Sequence, residues 1–154
     1  MIKKYFFFGF GQVAKNFILL QKKEKKKFKF AATTTSKSKI KNFVNKKYQS
    51  LKFKNNLFDK KIFKFLNQAD FILVSIPPKK NTDIVLKYFS KILKLNKKAK
   101  IIYLSATSVY GNYNGKWVNE KSRLKPTSLF GKRRQKAEKQ WMKFHKKFKN
   151  NIII

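Results

Sequence analysis

The sequence predicts one doubly wound α/β domain, a parallel sheet of about six strands with helices on both faces. Short apolar runs, typical of buried strands, alternate along the chain with longer stretches whose apolar residues recur at helical spacing. The first alternation passes through a glycine turn of the kind that opens a phosphate-binding βαβ unit. The 154 residues suffice for one such domain with its own core.

The first strand, turn and helix are predicted within residues 2–20. The aromatic run ending at Phe8 leads into the segment GFGQVA, and apolar residues then recur at helical spacing. Gly9 permits a tight turn, Gly11 leaves the backbone open to a pyrophosphate, and Ala14 lets the helix lie close to the strand. An ordinary glycine turn would give the same short motif. The candidate dinucleotide-binding residues here are Gly9, Gly11, Gln12 and Val13.

The second predicted strand, residues 28–34, ends in a loop rich in hydroxyl groups and lysine. This loop follows the glycines by about 20 residues, where dinucleotide-binding folds contact the adenosine ribose. No acidic residue lies between Glu24 and Asp59 to bond a ribose 2′-hydroxyl, and hydroxyls with cations suit a 2′-phosphate. We therefore expect NADP rather than NAD, although lysine is common throughout this chain. The candidate residues are Thr34, Thr35, Ser36 and Lys37.

The remaining elements are predicted from the same two periodicities. They are a short helix over 40–47, a strand over 48–53, a helix stripe from Leu57 to Leu66, a buried strand over 71–76, a helix over 82–95, a strand over 101–105, a helix from Pro126 to about Phe148, and a sixth strand beginning at Asn151. The loops after the fourth and fifth strands reach the cofactor edge of such a sheet. They add Ser75, Pro77 and Ser105 to the candidate cofactor-binding residues.

The charge of the chain is extreme: 40 basic residues, nearly all lysine, face six acidic ones, giving a net charge of +34. Such a charge attracts polyanions, so charge-driven binding of nucleic acid is an open alternative. The lysines are nevertheless spread evenly, and phenylalanine, isoleucine and asparagine are equally abundant. This pattern favours compositional drift on a solvated surface, and we expect no specific nucleic-acid partner.

Other classes of protein are disfavoured by what the sequence lacks. It has no apolar run long enough to cross a membrane and no signal peptide, so we expect a cytoplasmic protein without a membrane partner. It contains no cysteine and a single histidine, so no metal site is predicted.

Two segments resemble the NAD(P)-dependent epimerase/dehydratase family, the extended short-chain dehydrogenase/reductases, and most of all its atypical branch. The first is GFGQVA. The second covers residues 101–141, where a strand ending in hydroxyls leads to Val109-Tyr110-Gly111, then to Glu120, a Pro-Thr-Ser segment and a helix. The resemblance implies a Rossmann fold, a bound dinucleotide, and redox or epimerisation chemistry on a small or sugar-like substrate.

The resemblance also places the family's catalytic positions on this sequence, where they are altered. The tyrosine that serves as general acid/base falls on Phe130, and the lysine four residues later falls on Arg134. The family's serine or threonine falls on Ala106, beside Thr107. Phenylalanine has no ionisable proton, and arginine does not deprotonate. The candidate catalytic residues are therefore a degenerate set of Thr107, Tyr110 and Arg134.

Family members continue well beyond this length, and their second part builds most of the substrate pocket. The resemblance implies that residues 1–154 are the cofactor-binding domain alone, without the substrate-binding part. Such a half would leave an apolar face of its sheet uncovered, so association with another chain is expected as one remedy. A non-catalytic Rossmann module, or truncated pseudo-enzyme, is the other alternative function.

Overall fold

The computed structural model describes residues 1–80 and 82–154, which form one mostly parallel sheet between two layers of helices. The elements are β1 (Lys3–Phe8), α1 (Gln12–Lys23), β2 (Phe28–Thr34), β3 (Lys39–Phe43), β4 (Lys46–Lys54), β5 (Leu57–Phe58), α2 (Lys61–Gln68), β6 (Phe71–Val74), α3 (Ile84–Leu95), β7 (Lys100–Tyr103), α4 (Leu129–Phe148) and β8 (Asn151–Ile153). The predicted α/β class is thus confirmed.

The strand order is β3-β4-β2-β1-β6-β7-β8, with β5 paired to β4. From β4 to β8 the six strands are parallel, and their order is that of a Rossmann fold. The point where the order reverses lies between β1 and β6. In open α/β sheets, ligands bind at the carboxyl ends of the strands beside such a switch point.

Alternation along β1 divides the core into two layers. Phe6 and Phe8 face α2, α3 and α4, in a cluster that includes the buried Trp141. Tyr5 and Phe7 face the opposite side, where α1 packs with Ala14 and Ile18. Three helices therefore cover one face of the sheet, and α1 covers part of the other.

The prediction of a helix over residues 40–47 is wrong, since these residues form β3 and its turn into β4. Val44 and Asn45 have φ values of 49° and 63°, the pair of left-handed residues that closes a two-residue hairpin. Ile40, Phe43 and Val44 have helical spacing, but Ile40 and Phe43 lie on an antiparallel strand paired with β4, and Val44 lies in the turn. No crossover helix therefore joins β2 to β4, in contrast to the five predicted strand–helix alternations.

Two other boundaries differ from the prediction. Leu57 and Phe58 form β5 rather than the start of α2, because Asn55 turns the chain back against β4. Helix α4 begins three residues after Pro126, where the Ser128 hydroxyl accepts a hydrogen bond from the Gly131 N–H at 3.0 Å. The strands predicted over 48–53, 71–76 and 101–105 are present, with the latter two ending earlier than predicted.

The start of α3 depends on a buried aspartate, and this makes a testable prediction. Asp83 is 1% exposed, and its Oδ1 accepts hydrogen bonds from the N–H groups of Val85 and Leu86. Burial raises the pKa of this carboxyl, against the opposing effect of the Leu86 N–H. The stability contributed by a group with a raised folded-state pKa is complete at low pH and is lost as pH rises through that pKa.

We therefore expect Asp83→Asn, which keeps the acceptor oxygen without the charge, to be at least as stable as the wild type at pH 7. Asp83→Ala removes the cap and should lose about 1–2 kcal/mol. Urea unfolding at pH 7 and at about pH 3, below the ordinary aspartate pKa, measures both effects. Any advantage of the asparagine variant should vanish at the lower pH. A marked loss of stability in Asp83→Asn at pH 7 would contradict the role of burial.

Candidate functional site

The glycine turn between β1 and α1 is held by side chains from two neighbouring strand ends. The Gly9 N–H donates to Thr33 Oγ1 at 2.9 Å, and the Ser75 hydroxyl donates to the Phe8 carbonyl at 3.0 Å. Gly9 has φ +92°, and a Cβ there would lie 2.9 Å from both Ser75 Oγ and the Ile76 side chain. Only glycine satisfies this backbone and this space.

Gly11 differs from Gly9 because its surroundings are open. No atom outside the turn lies within 4 Å of a Cβ built at Gly11, and no side chain caps the helix that follows. The first helical hydrogen bond runs from the Lys15 N–H to the Gly11 carbonyl. The N–H groups of the three helical residues before Lys15 therefore have no partner within the helix. An anion can approach these N–H groups at the positive end of α1.

The side chains of the first helical turn leave this approach clear. Gln12 Nε2 donates along the helix to Asn16 Oδ1 at 3.0 Å, and Val13 is exposed. Ala14 is fully buried and lets α1 lie close to the sheet. The turn is therefore a rigid backbone cradle rather than a pocket made of side chains.

Two further groups of candidate residues lie at the same edge of the sheet. Thr34 ends β2, and Thr35, Ser36 and Lys37 follow it. All four are half-exposed or exposed, and Thr34 Oγ1 accepts a hydrogen bond from the Ser36 N–H. Ser105 follows β7, and its buried hydroxyl has no hydrogen-bond partner among the described residues. A buried hydroxyl without a partner fits a site that a polar ligand would complete. Pro77 is exposed in the loop after β6.

The degenerate catalytic residues are divided between two places. Thr107 and Tyr110 line a cavity of about 460 Å³ formed by the loop after β7. Arg134, on α4, instead donates to the Leu104 carbonyl at 2.8 Å and to the Tyr103 hydroxyl at 3.2 Å. Phe130 is 74% exposed at the start of α4.

The tyrosine that Arg134 contacts is not a replacement for the missing acid/base. Tyr103 is 1% exposed, and burial raises the pKa of its phenol to about 12, although the adjacent Arg134 guanidinium opposes the shift. This phenol stays protonated near neutral pH. The two hydrogen bonds of Arg134 connect α4 to the carboxyl end of β7.

Sequence reasoning missed Thr33, which makes the direct contact to Gly9. The strand predicted over 28–34 includes Thr33, and the change from apolar to hydroxyl residues near its carboxyl end is a usable signal. Among the described residues, no group of three or more histidine, cysteine or acidic side chains could hold a metal ion. Within 1–80 and 82–154, none of the helices has the length and apolarity needed to cross a bilayer.

No protein-family model matches the chain, and no curated protein matches it significantly. Solved structures do match it. The dTDP-glucose 4,6-dehydratase of Bacillus anthracis, in complex with NAD, has a TM-score of 0.75 at 14% identity, over 99% of this chain and 53% of that one. The UDP-N-acetylglucosamine 4-epimerase of Methanobrevibacter ruminantium has a TM-score of 0.73 at 18% identity, over 98% and 53% of the two chains.

The UDP-glucuronic acid 4-epimerase of Bacillus cereus, in complex with NAD, gives a TM-score of 0.71 at 19% identity. That match covers 97% of this chain and 54% of the epimerase. The chain thus spans about half the length of the solved structures it matches. The likeness shows the fold, a Rossmann-like α/β sheet shared with epimerases and dehydratases.

Proposed function

We propose that residues 1–154 form a domain that binds NAD(P), with NADP preferred, in a protein of the epimerase/dehydratase type. The observation that carries the proposal is the open approach to Gly11, where helical N–H groups meet no side chain. The unpartnered hydroxyl of Ser105 at the same edge supports it, as do the NAD complexes of two structural neighbours.

In this proposal, Gly9 and Thr33 fix the turn, and the backbone of Gly11, Gln12 and Val13 holds the pyrophosphate. Thr34, Thr35, Ser36 and Lys37 would lie against the adenosine ribose and its 2′-phosphate, while Ser75, Pro77 and Ser105 border the path of the cofactor. A bound nicotinamide would supply hydride transfer. Any reaction would be a redox step or an epimerisation on a small or sugar-like substrate.

A non-catalytic module is the second candidate, and the geometry around α4 favours it. Phe130 offers no proton, and Arg134 is hydrogen-bonded to the end of β7. Thr107 and Tyr110 line a cavity that a substrate could enter, whereas Arg134 bonds to Tyr103 and Leu104. The primary function proposed here is therefore dinucleotide binding. Any catalysis would depend on the residues that line this cavity.

Gly11→Ala tests the binding proposal. The added methyl group meets open space in the protein, so the free energy of unfolding should change by no more than about 1 kcal/mol. The same methyl group would stand where the pyrophosphate approaches, and we expect the dissociation constants of NADPH and NADH to rise at least about 10-fold, or about 1.4 kcal/mol. Calorimetry with both dinucleotides at physiological salt measures this effect.

Charge alone must be separated from a specific site, because a protein of net charge +34 attracts any polyphosphate. Leu20→Ala, an uncharged change at a half-exposed position of helix α1, should leave the affinities unaltered. Tripolyphosphate should compete poorly at physiological salt. Equal competition by tripolyphosphate, or unchanged affinity in Gly11→Ala, would contradict the proposed site.

A further inference from the structure

The sheet face that carries α1 is only partly covered, and an apolar groove of about 540 Å³ runs beside that helix. Its floor is made of side chains from β6, β7 and β8, including Leu73, Ile102 and Ile153. The opposite face of the same strands is packed under α3 and α4. An open apolar surface of this kind on an otherwise packed sheet marks an interaction site.

The wall of the groove is one side of α1. Val13 and Phe17 are four residues apart, and Gln21 follows after the same interval, so all three lie along one side of the helix. Phe17 also packs against the cluster that contains Ala14 and Ile18, and the buried Gln21 accepts a hydrogen bond from the Tyr5 hydroxyl, whereas Val13 is 52% exposed. The wall therefore offers apolar surface at Val13 and at the outer side of Phe17, next to the open floor of the groove.

The width of the groove fits one α-helix. The exposed strands β6, β7 and β8 span two strand spacings, about 10 Å in all, which is also about the diameter of a helix with its side chains. A helix lying there would contact α1 on one side and the sheet below. On the other face of the sheet, α2 and α3 pack in the same way, against each other and against the strands.

The charges of the groove identify the occupant further. Lys3 and Lys100 begin their strands and Lys26 follows α1, so three cations line the same end of the groove. The other end, near Val13 and Leu104, is apolar. Carboxylates and the negative end of a helix dipole both favour the lysine end. A second copy of this chain is disfavoured, since two bodies of charge +34 repel.

We propose that this groove is a docking site for an amphipathic helix of a partner polypeptide, with its apolar face on Ile102 and Ile153 and its acidic carboxyl end at Lys3, Lys26 and Lys100. The groove adjoins the proposed dinucleotide cradle at Val13, but the floor residue Ile153 and the lysine end are separate from the turn around Gly9 and Gly11. The proposal therefore stands or falls separately from the proposed cofactor binding.

The test uses a fluorescent amphipathic peptide of about 18 residues, or five helical turns, with leucine on one face and glutamates in its last turn. Fluorescence anisotropy at physiological salt should show saturable binding in a 1:1 ratio. A peptide with glutamines in place of the glutamates should bind at least about 10-fold more weakly. Ile153→Glu and Lys100→Glu should each weaken binding of the acidic peptide by a similar factor.

Two matched variants separate docking from general attraction. Leu20 is 50% exposed on α1 outside the groove, against 45% for Ile153 on its floor, and Lys91 is exposed on α3. Leu20→Glu and Lys91→Glu should bind the peptide like the wild type, with circular dichroism confirming that all variants are folded. Equal weakening by these controls, or no saturable binding, would overturn the proposal. So would a concentration-dependent dimer in sedimentation that Ile153→Glu abolishes, because the occupant would then be a second copy.

Discussion

Replacing Trp141 by alanine should lower the free energy of unfolding by about 3–5 kcal/mol, the largest effect expected for a single substitution in this protein. Trp141 is 0% exposed and lies in the layer between α4 and the sheet. Its ring centroid is 5.7 Å from that of Tyr103 and 6.1 Å from that of Phe144. The variant leaves a cavity at the place where α4 is fixed to β7.

The chain provides its own control for this experiment. Trp117 is 100% exposed, and Trp117→Ala should change stability by less than about 0.5 kcal/mol. Urea unfolding followed by far-ultraviolet circular dichroism measures both variants without relying on tryptophan fluorescence. Similar small effects in both variants would mean that α4 does not pack on the sheet through Trp141.

Gly131→Ala should lower the free energy of unfolding by about 2–3 kcal/mol, although alanine is the better helix former. A Cβ at this position would lie 2.3 Å from the Ser108 carbonyl oxygen and 3.0 Å from Pro126 Cβ. A backbone oxygen cannot rotate away as a side chain could. The first turn of α4 would have to move away from the 3-10 turn formed by Thr107–Val109.

The movement expected in Gly131→Ala can be detected separately from the loss of stability. Amide chemical shifts of Thr107 to Tyr110 should change, because this segment packs against the start of α4. Lys132→Ala, at the next and exposed position of the same helix, should stay within about 0.5 kcal/mol of the wild type and leave those shifts in place. A Gly131→Ala variant as stable as Lys132→Ala would contradict the close approach.

The parallel strands and the helices between them were predictable because each buries a recognisable pattern. Phe71–Val74 is apolar throughout, as a strand covered on one face by α3 and bordered by α1 on the other requires. The doubly wound class followed from the glycine turn, which identified the first βαβ unit. The short segments between β2 and α2 were not predictable in the same way.

The hairpin between β3 and β4 shows why. Ile40, Phe43 and Val44 have a spacing that suits either a helix or a strand with an irregular end. The segment becomes a strand because Asn45 helps to form the turn and because the segment pairs with β4. This pairing is a tertiary contact, which sequence periodicity does not reveal. A left-handed φ is unfavourable for a β-branched residue such as Val44, so the sequence did not indicate a tight turn at this position.

The candidate site was predictable in its backbone and less so in its side chains. The spacing of Gly9 and Gly11 identified the turn, and the structure gives the two glycines different surroundings, crowded for one and open for the other. The contact from Thr33 depends on the register between β1 and β2 and could not be read from spacing. The hydrogen bonds of Arg134 depend equally on where α4 packs.

Strand β3 has a consequence for how this protein behaves at high concentration. It is the outermost strand on its side of the sheet, and its free backbone edge could template growth by other molecules. Lys39 and Lys41 lie on this short strand, and Lys46 and Lys47 lie on β4 opposite Phe43 and Asn42. Like charges along an edge oppose intermolecular strand addition, so the excess of lysine protects this edge of the sheet from aggregation.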